Sequence, residues 1–141
     1  MFSLTHSPLP DWKNIFKIII KNEFSDSELA KPWLQDRENG FWFSRSSWSF
    51  YIIAKFRLLI SSDKNMNVWF PAYFCNASLA LLRTLNVKIS FYPLLADGNP
   101  NLDACNKMLG NGHPDIIVGV HYFGAPTTLV ELGIFCKKYN A

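Results

Sequence analysis

Three short segments hold the residue types best suited to chemistry, and each comes directly after a predicted strand or extended run. They are residues 44–47 (Ser-Arg-Ser-Ser), 71–76 (Pro-Ala-Tyr-Phe-Cys-Asn) and 121–126 (His-Tyr-Phe-Gly-Ala-Pro). The first segment opens a predicted helix, and free N–H groups with small hydroxyls at a helix N-terminus suit a phosphate. Ordinary capping of the helix by serine explains the same residues and is the commoner arrangement at any single such site.

The other two segments contain a thiol and an imidazole. Cys75 lies between the strand-ending Pro71 and a predicted helix, where either a thiolate or a small packing thiol would fit. His121 ends an apolar run, and there a histidine serves as a ligand, as a base or, more commonly, as a structural residue. No second histidine or paired carboxylate lies near His121 in sequence. Spacing alone therefore defines no nucleophile with its base.

Several familiar ligand-binding motifs are absent from the sequence. It contains no Gly-x-Gly-x-x-Gly fingerprint and no Gly-Lys-Ser/Thr turn, which removes the main support for a dinucleotide or nucleoside triphosphate site. The three cysteines, Cys75, Cys105 and Cys136, lie about thirty residues apart and form no Cys-x-x-Cys pair. This dispersed, odd-numbered set argues against a disulfide framework and against a structural zinc site, so no metal is expected.

The composition is typical of a globular protein, with 49% hydrophobic and 18% charged residues. The net charge of +3 comes from 14 basic and 11 acidic residues, and the basic residues are scattered, so nucleic-acid binding is not expected. The longest apolar runs are too short to span a bilayer. Residues 1–10 do not follow the pattern of a secretory signal, and we therefore expect a cytoplasmic protein that does not insert in a membrane.

The first 40 residues predict a helical appendage outside the main domain. Apolar residues recur at helical spacing within residues 11–22. Ser25 and Glu28 have the spacing of a capping box and open a short turn that Pro32 closes. The aromatic run at residues 41–43 predicts a brief strand or an extended entry into the main domain, which we place at residues 41–141.

The main domain begins with a helix predicted at residues 46–60 that is apolar nearly all round. A helix of this kind is expected to be buried on most sides. Strands and helices then alternate. Strands are predicted at residues 68–70, 87–92 and 115–122, and helices at 76–85 (capped by Asn76), 102–109 and 128–139 (with Thr128 and Glu131 as a capping box).

This order of elements is typical of an α/β protein with a parallel sheet, right-handed crossovers and helices on both faces. In such sheets ligands bind outside the carboxyl ends of the strands, where the three segments described above are expected to lie. The last predicted helix should lead into a further strand, but the sequence stops at Ala141. We therefore expect the domain to be incomplete at its C-terminus.

Four motifs, taken in order, resemble the DegT-type sugar aminotransferases, which are pyridoxal-phosphate enzymes with the aspartate-aminotransferase-like fold. They are Ser-Arg-Ser-Ser-Trp at residues 44–48, Val-Trp-Phe-Pro-Ala-Tyr-Phe-Cys at 68–75, Asn-Leu-Asp at 101–103 and Val-His-Tyr-Phe-Gly-Ala-Pro at 120–126. The resemblance covers roughly residues 42–141. It implies part of the three-layer large domain with a mostly parallel sheet, a pyridoxal 5′-phosphate cofactor, and a parent reaction that transfers an amino group from an amino acid to a nucleotide-linked keto-sugar.

The resemblance also implies site residues. It assigns Ser46 and Ser47 to the cofactor phosphate, and Cys75 to the face of the pyridine ring, where the family often has an aromatic residue. Ser44 stands where the family usually has glycine, and Ser47 where it has alanine. The acidic partner of the pyridine nitrogen would fall a few residues beyond Ala141, and the Schiff-base lysine later still. None of the lysines in this chain stands in a sequence context like that of the family's Schiff-base lysine, so we expect no catalytic residue in this chain.

The leading hypothesis is thus an N-terminal fragment of a DegT-type aminotransferase, inactive alone, whose parent enzymes are homodimers. A second hypothesis is a non-catalytic remnant or interaction module that retains the front half of the fold. A third is a Rossmann-like nucleotide binder, against which the missing glycine fingerprint counts. The aromatic content of 16% suits surfaces buried in a dimer, and it also favours aggregation of the isolated chain.

Overall fold

The computed structural model describes residues 12–20, 25, 40–61, 65–122 and 129–141. The chain divides into two compact units, Met1–Trp42 and Phe43–Ala141.

In the first unit, helix α1 (Trp12–Ile20) confirms the helix predicted within residues 11–22. Its apolar residues recur three and four positions apart, and several are exposed: Trp12, Phe16, Ile19 and Ile20. Of the turn predicted between Ser25 and Pro32, only Ser25 is among the described residues. Residues 41–43 form no strand.

The second unit is built on a parallel sheet of three strands. These are β1 (Asn67–Pro71), β2 (Lys88–Tyr92) and β3 (Ile116–Ile117), and their order is β2-β1-β3. In the central strand, Val68 pairs with Ile89 on one side and with Ile116 on the other. The prediction of an α/β fold with parallel strands is confirmed.

Strand β3 is shorter than the strand predicted at residues 115–122, because the chain turns from β1 towards the last helix, α4 (Leu129–Tyr139). The Val118 amide still donates to the Trp69 carbonyl oxygen at 2.9 Å, which extends the pairing by one residue. At Gly119 the backbone lies against α4, and a Cβ there would be 2.8 Å from Cδ2 of Leu129. A larger residue at Gly119 would therefore require the Leu129 side chain of α4 to shift.

Alternate residues of β1 point to opposite faces of the sheet, and both faces are covered. On the first face, Val68 and Phe70 pack with Ala54 of helix α2 (Ser46–Ile60) and with the two 3₁₀ helices Asn76–Leu79 and Leu82–Thr84. Phe50 of α2 also meets Phe70 edge to face, with 5.3 Å between the ring centroids. This face therefore holds the larger of the two apolar cores.

On the second face, Trp69 and Tyr92 pack with residues of two helices. These are Cys105 of α3 (Leu102–Met108) and Phe135 of α4. The second unit thus forms three layers, with helices on both faces of the sheet as the sequence predicts.

The helix predicted at residues 76–85 is wrong in type, because two short 3₁₀ helices take its place. Leu79 and Leu82 are both fully buried and lie three residues apart. Leu79 ends the first 3₁₀ helix and Leu82 begins the second, and both pack with Val68 and Phe70 of the sheet. The predicted cap by Asn76 is also wrong: no side chain caps the first 3₁₀ helix, and the Asn76 side-chain oxygen accepts a hydrogen bond from Arg83.

Helix α2 has the predicted bounds, but the prediction that it is buried on most sides is wrong. Ser47 and Ala54 are its buried residues, whereas Phe56 is 62% exposed and Leu59 is 76% exposed. The helix packs on the sheet along one side only, and its remaining apolar side chains face outwards. Among the described residues, no helix combines the length and apolar character needed to cross a membrane.

A buried asparagine ties together the amino ends of the strands. The Asn67 side-chain oxygen accepts a hydrogen bond from the Ser90 hydroxyl at 2.9 Å, and its amide nitrogen lies 3.3 Å from the His113 carbonyl oxygen. The Asn67 backbone amide donates to the Asp115 carboxylate at 2.7 Å. This end of the sheet is therefore fixed by polar contacts, and the opposite, carboxyl end carries the predicted site segments.

Candidate functional site

A crevice opens where the chain leaves β1 and β3, which lie side by side. After β1 the chain passes to the 3₁₀ helices on the first face, and after β3 it continues to α4 on the second face. Such a divergence between neighbouring parallel strands marks the position where open α/β sheets bind ligands. A cavity of about 410 Å³ lies at this position, lined by Tyr73, Phe74, Cys75, Val120 and Tyr122. Its walls are mostly aromatic and apolar.

Beside this crevice, the start of α2 meets the first 3₁₀ helix. The hydroxyl of Ser46 donates to the hydroxyl oxygen of Ser78 at 3.3 Å. The two turns enclose a depression of about 760 Å³, lined by Ser44, Arg45, Ser46, Ser47, Trp48, Ala77, Ser78, Ala80 and Leu81. The structure thus brings the predicted phosphate turn next to the segment that contains Cys75.

The start of α2 does not use serine as a cap. Arg45 occupies the N-cap position in an extended conformation, and its side chain makes no capping hydrogen bond. Ser46 and Ser47 are therefore the first two residues of the helix, where backbone N–H groups have no carbonyl partner within the helix. Ser46 is exposed, whereas Ser47 is 8% exposed. Of the two predicted phosphate residues, Ser46 is the one whose hydroxyl is accessible.

The thiol of Cys75 is exposed and lies at the start of the first 3₁₀ helix. Hydrogen bonds from the Ser78 backbone N–H, the Ser78 hydroxyl and the Ala77 backbone N–H lower the pKa of this thiol. Donors aimed at sulfur stabilise its thiolate form, which is the nucleophilic form. Cys75 therefore differs from an inert packing cysteine, because it is accessible and held among hydrogen-bond donors.

The third predicted segment is only partly described. His121 is exposed and is not among the side chains that line the crevice, whereas its neighbour Tyr122 is. The hydroxyl of Tyr122 donates to the carbonyl oxygen of Tyr73. Residues 123–126 of this segment lie outside the described residues.

One residue of the site, Ser78, lies outside the predicted segments, and a second, Tyr122, lies in the predicted segment 121–126 but has no role assigned from the sequence. Ser78 stands three residues after Cys75. The nearby leucines repeat every three residues, which favours a 3₁₀ turn, and such a turn would place Ser78 next to Cys75. Tyr122 carried no such signal, because its contact with Tyr73 depends on β1 and β3 being neighbours in the sheet. Across the part of the chain that the structure describes, no group of three or more histidine, cysteine or acidic residues could hold a metal ion.

The fold and the site together define an α/β protein with a crevice at a strand switch point and a hydroxyl-rich helix start beside it. Comparison of the chain with models of protein families, with curated proteins and with solved structures finds no match. The DegT-type resemblance therefore rests on the motifs in the sequence, and what it implies is developed below as a proposal.

Proposed function

We propose that this chain forms the phosphate and ring subsites of a pyridoxal 5′-phosphate pocket, and that it is the front part of a DegT-type aminotransferase. The observation that carries the proposal is the hydrogen bond between Ser46 and Ser78. It joins the turn assigned to the phosphate with the turn that presents Cys75, at the edge of the sheet where α/β proteins bind ligands.

The residues at this edge fit the two chemically different parts of the cofactor. The N–H groups at the start of α2 offer hydrogen-bond donors to a phosphate, and the Ser46 hydroxyl, which donates to Ser78 in the free chain, would turn to the phosphate when it binds. Arg45 lies beside them and adds a positive charge. The crevice beside Cys75 offers the apolar, aromatic walls that suit a pyridine ring. When bound, the cofactor supplies the electron sink for amino-group transfer.

The role of this chain in the proposed reaction is to bind and orient. Ser46 would anchor the phosphate, and Cys75 with Tyr73 would border the ring. In the parent family the amino group passes from an amino acid to a nucleotide-linked keto-sugar within a homodimer, and a lysine and an acidic residue carry the proton chemistry. No lysine of this chain stands in a sequence context that matches that of the Schiff-base lysine of the family. The chain is therefore proposed to hold the cofactor without completing the transfer.

Binding of pyridoxine 5′-phosphate tests the proposal, because this compound has the ring and the phosphate but lacks the aldehyde that reacts with surface lysines. Its fluorescence should titrate with the purified chain, and pyridoxine without phosphate should bind at least about tenfold more weakly, since a good phosphate contact contributes more than 1 kcal/mol. The change Ser46→Ala should weaken binding of the phosphate ester, while Ser49→Ala one turn along the same helix should not. Equal affinity for pyridoxine and its phosphate would contradict the proposal.

A second candidate function, an interaction module, is supported by the exposed side of α2, where Ile53, Phe56 and Leu59 face outwards. Apolar patches of this kind are typical of protein interfaces. Titration with pyridoxine 5′-phosphate separates the two candidates, because neither of them has the Schiff-base lysine. Saturable binding that requires the phosphate supports the enzyme fragment, whereas self-association through α2 without such binding supports the interaction module.

A further inference from the structure

Tyr122 joins two of the loops at the carboxyl edge of the sheet. It lies in the loop after β3, and its hydroxyl donates to the Tyr73 carbonyl oxygen in the loop after β1. The two tyrosine rings also lie together, with 5.6 Å between their centroids. In the loop after β2, a Cβ at Gly98 would lie at an ordinary van der Waals distance, 3.6 Å, from Cδ2 of Tyr122.

The segment that Tyr122 contacts is held by a different restraint at each residue. The Ala72 amide donates to the Tyr92 carbonyl oxygen at 2.8 Å, which continues the pairing of β1 with β2. The Phe74 ring packs on Phe70 in the first-face core, with 4.8 Å between centroids. Between these two residues, the carbonyl of Tyr73 is fixed from the side of β3 by Tyr122. The restraint from Tyr122 thus acts across the crevice.

We propose that Tyr122 is a positioning residue, whose hydroxyl holds residues 72–75 against the loop after β3 and so sets the width of the crevice. This inference rests on the proposed function for its ligand, because the crevice is the subsite assigned above to the pyridine ring. Tyr122 acts through the backbone of Tyr73, and its hydroxyl is engaged there. Its removal should therefore loosen the ring subsite and leave the phosphate subsite at Ser46 unchanged.

The variant Tyr122→Phe removes the hydroxyl and retains the ring. Tyr139→Phe is a matched control, since it removes a single tyrosine hydroxyl that donates to the Asn106 side chain far along α4. Pyridoxine 5′-phosphate should bind Tyr122→Phe about fivefold more weakly than Tyr139→Phe, in keeping with the loss of one hydrogen bond. Glycerol 3-phosphate, which has no ring, should bind the two variants equally. Equal affinity of both variants for the ring compound would overturn the inference.

A second measurement needs no ligand. In the free chain, the backbone amides of residues 72–75 should exchange with solvent deuterium about fivefold faster in Tyr122→Phe than in Tyr139→Phe, because the local opening of this segment loses one restraint. Unchanged exchange overturns the positioning role whatever the chain binds. Conversely, a wild-type chain that binds neither phosphate compound overturns the proposed function, while faster exchange in Tyr122→Phe would still support the restraint itself. The two failures are therefore distinguishable.

Discussion

The hydroxyl of Tyr92 donates a hydrogen bond to the carbonyl oxygen of Val118 at 2.8 Å. Tyr92 ends β2 and Val118 follows β3, so this bond passes across the second face of the central strand and joins the two outer strands directly. Tyr92 is 1% exposed. Burial is the main cause that raises the pKa of its phenol, and the neighbouring Tyr122, Cys105 and Cys136 raise it further. The three-stranded sheet is thus held by a side chain in addition to its backbone pairing.

Removal of this hydroxyl should destabilise the chain. The change Tyr92→Phe keeps the ring in the second-face core and leaves the Val118 carbonyl oxygen without that donor, so the free energy of unfolding should fall by about 1–2 kcal/mol. Urea denaturation followed by circular dichroism measures the difference. Tyr139→Phe is the control, because its hydroxyl bond is exposed and should contribute far less. Equal unfolding free energies for the two variants would show that the bond between Tyr92 and Val118 does not stabilise the folded chain.

The same tyrosine should make the fold sensitive to alkali. Its pKa is raised in the folded chain above the ordinary value of 10.0, so the unfolded chain loses its proton first as the pH rises. The stabilisation that follows from the neutral buried phenol is fully present below pH 10.0 and declines as the pH rises beyond that value. The difference in unfolding free energy between wild type and Tyr92→Phe should therefore shrink above that pH. A difference that stays constant through the alkaline range would contradict this linkage.

Cys75 should be the most reactive of the three cysteines towards alkylation. Donors from Ser78 and Ala77 lower its pKa, whereas burial raises the pKa of Cys105 to about 11. Iodoacetamide labelling, resolved by peptide mass spectrometry, should give a rate for Cys75 that is half-maximal below pH 9.0, the ordinary value for a thiol. Ser78→Ala should move this profile to higher pH, and Ser49→Ala should not. A Cys75 profile identical in wild type and Ser78→Ala would exclude the side-chain donor as a cause.

Asn67 should be among the costliest polar residues to remove. The change Asn67→Ala deletes the acceptor of Ser90 and the donor to the 112–113 backbone in a buried position. Loss of several buried partners at once typically lowers the free energy of unfolding by about 2–3 kcal/mol. Asn86→Ala, at an exposed position, should change it by less than about 0.5 kcal/mol. If the two variants unfold at the same urea concentration, the polar contacts at Asn67 do not stabilise the sheet.

The sequence predicts the sheet well because its strands are short apolar runs separated by polar loops. Residues 68–70 and 87–92 carry this pattern; the first run lies within β1, and all of the second except Val87 forms β2. The 3₁₀ helices were missed, because leucines at 79, 82 and 85 were assigned to an α-helix although their period is three. The contact of Tyr122 with Tyr73 could not be predicted for another reason. It depends on which strands are neighbours in the sheet, and the local spacing of residues does not determine the strand order.

The exposure of α2 shows a different limit of sequence-based prediction and leads to a test. Apolar residues on every side indicate that a helix is suited to burial, but they do not indicate what covers each side.

Ile53 and Phe56 are exposed in this chain, so at high concentration the chain should self-associate through them. The double change Ile53→Glu with Phe56→Glu should raise the dissociation constant of self-association at least about tenfold, because each charge disfavours an apolar contact. Ala96→Glu, on an exposed turn, is the control for added charge. Sedimentation velocity over a concentration series measures the effect, and a wild-type chain that stays monomeric throughout would contradict it.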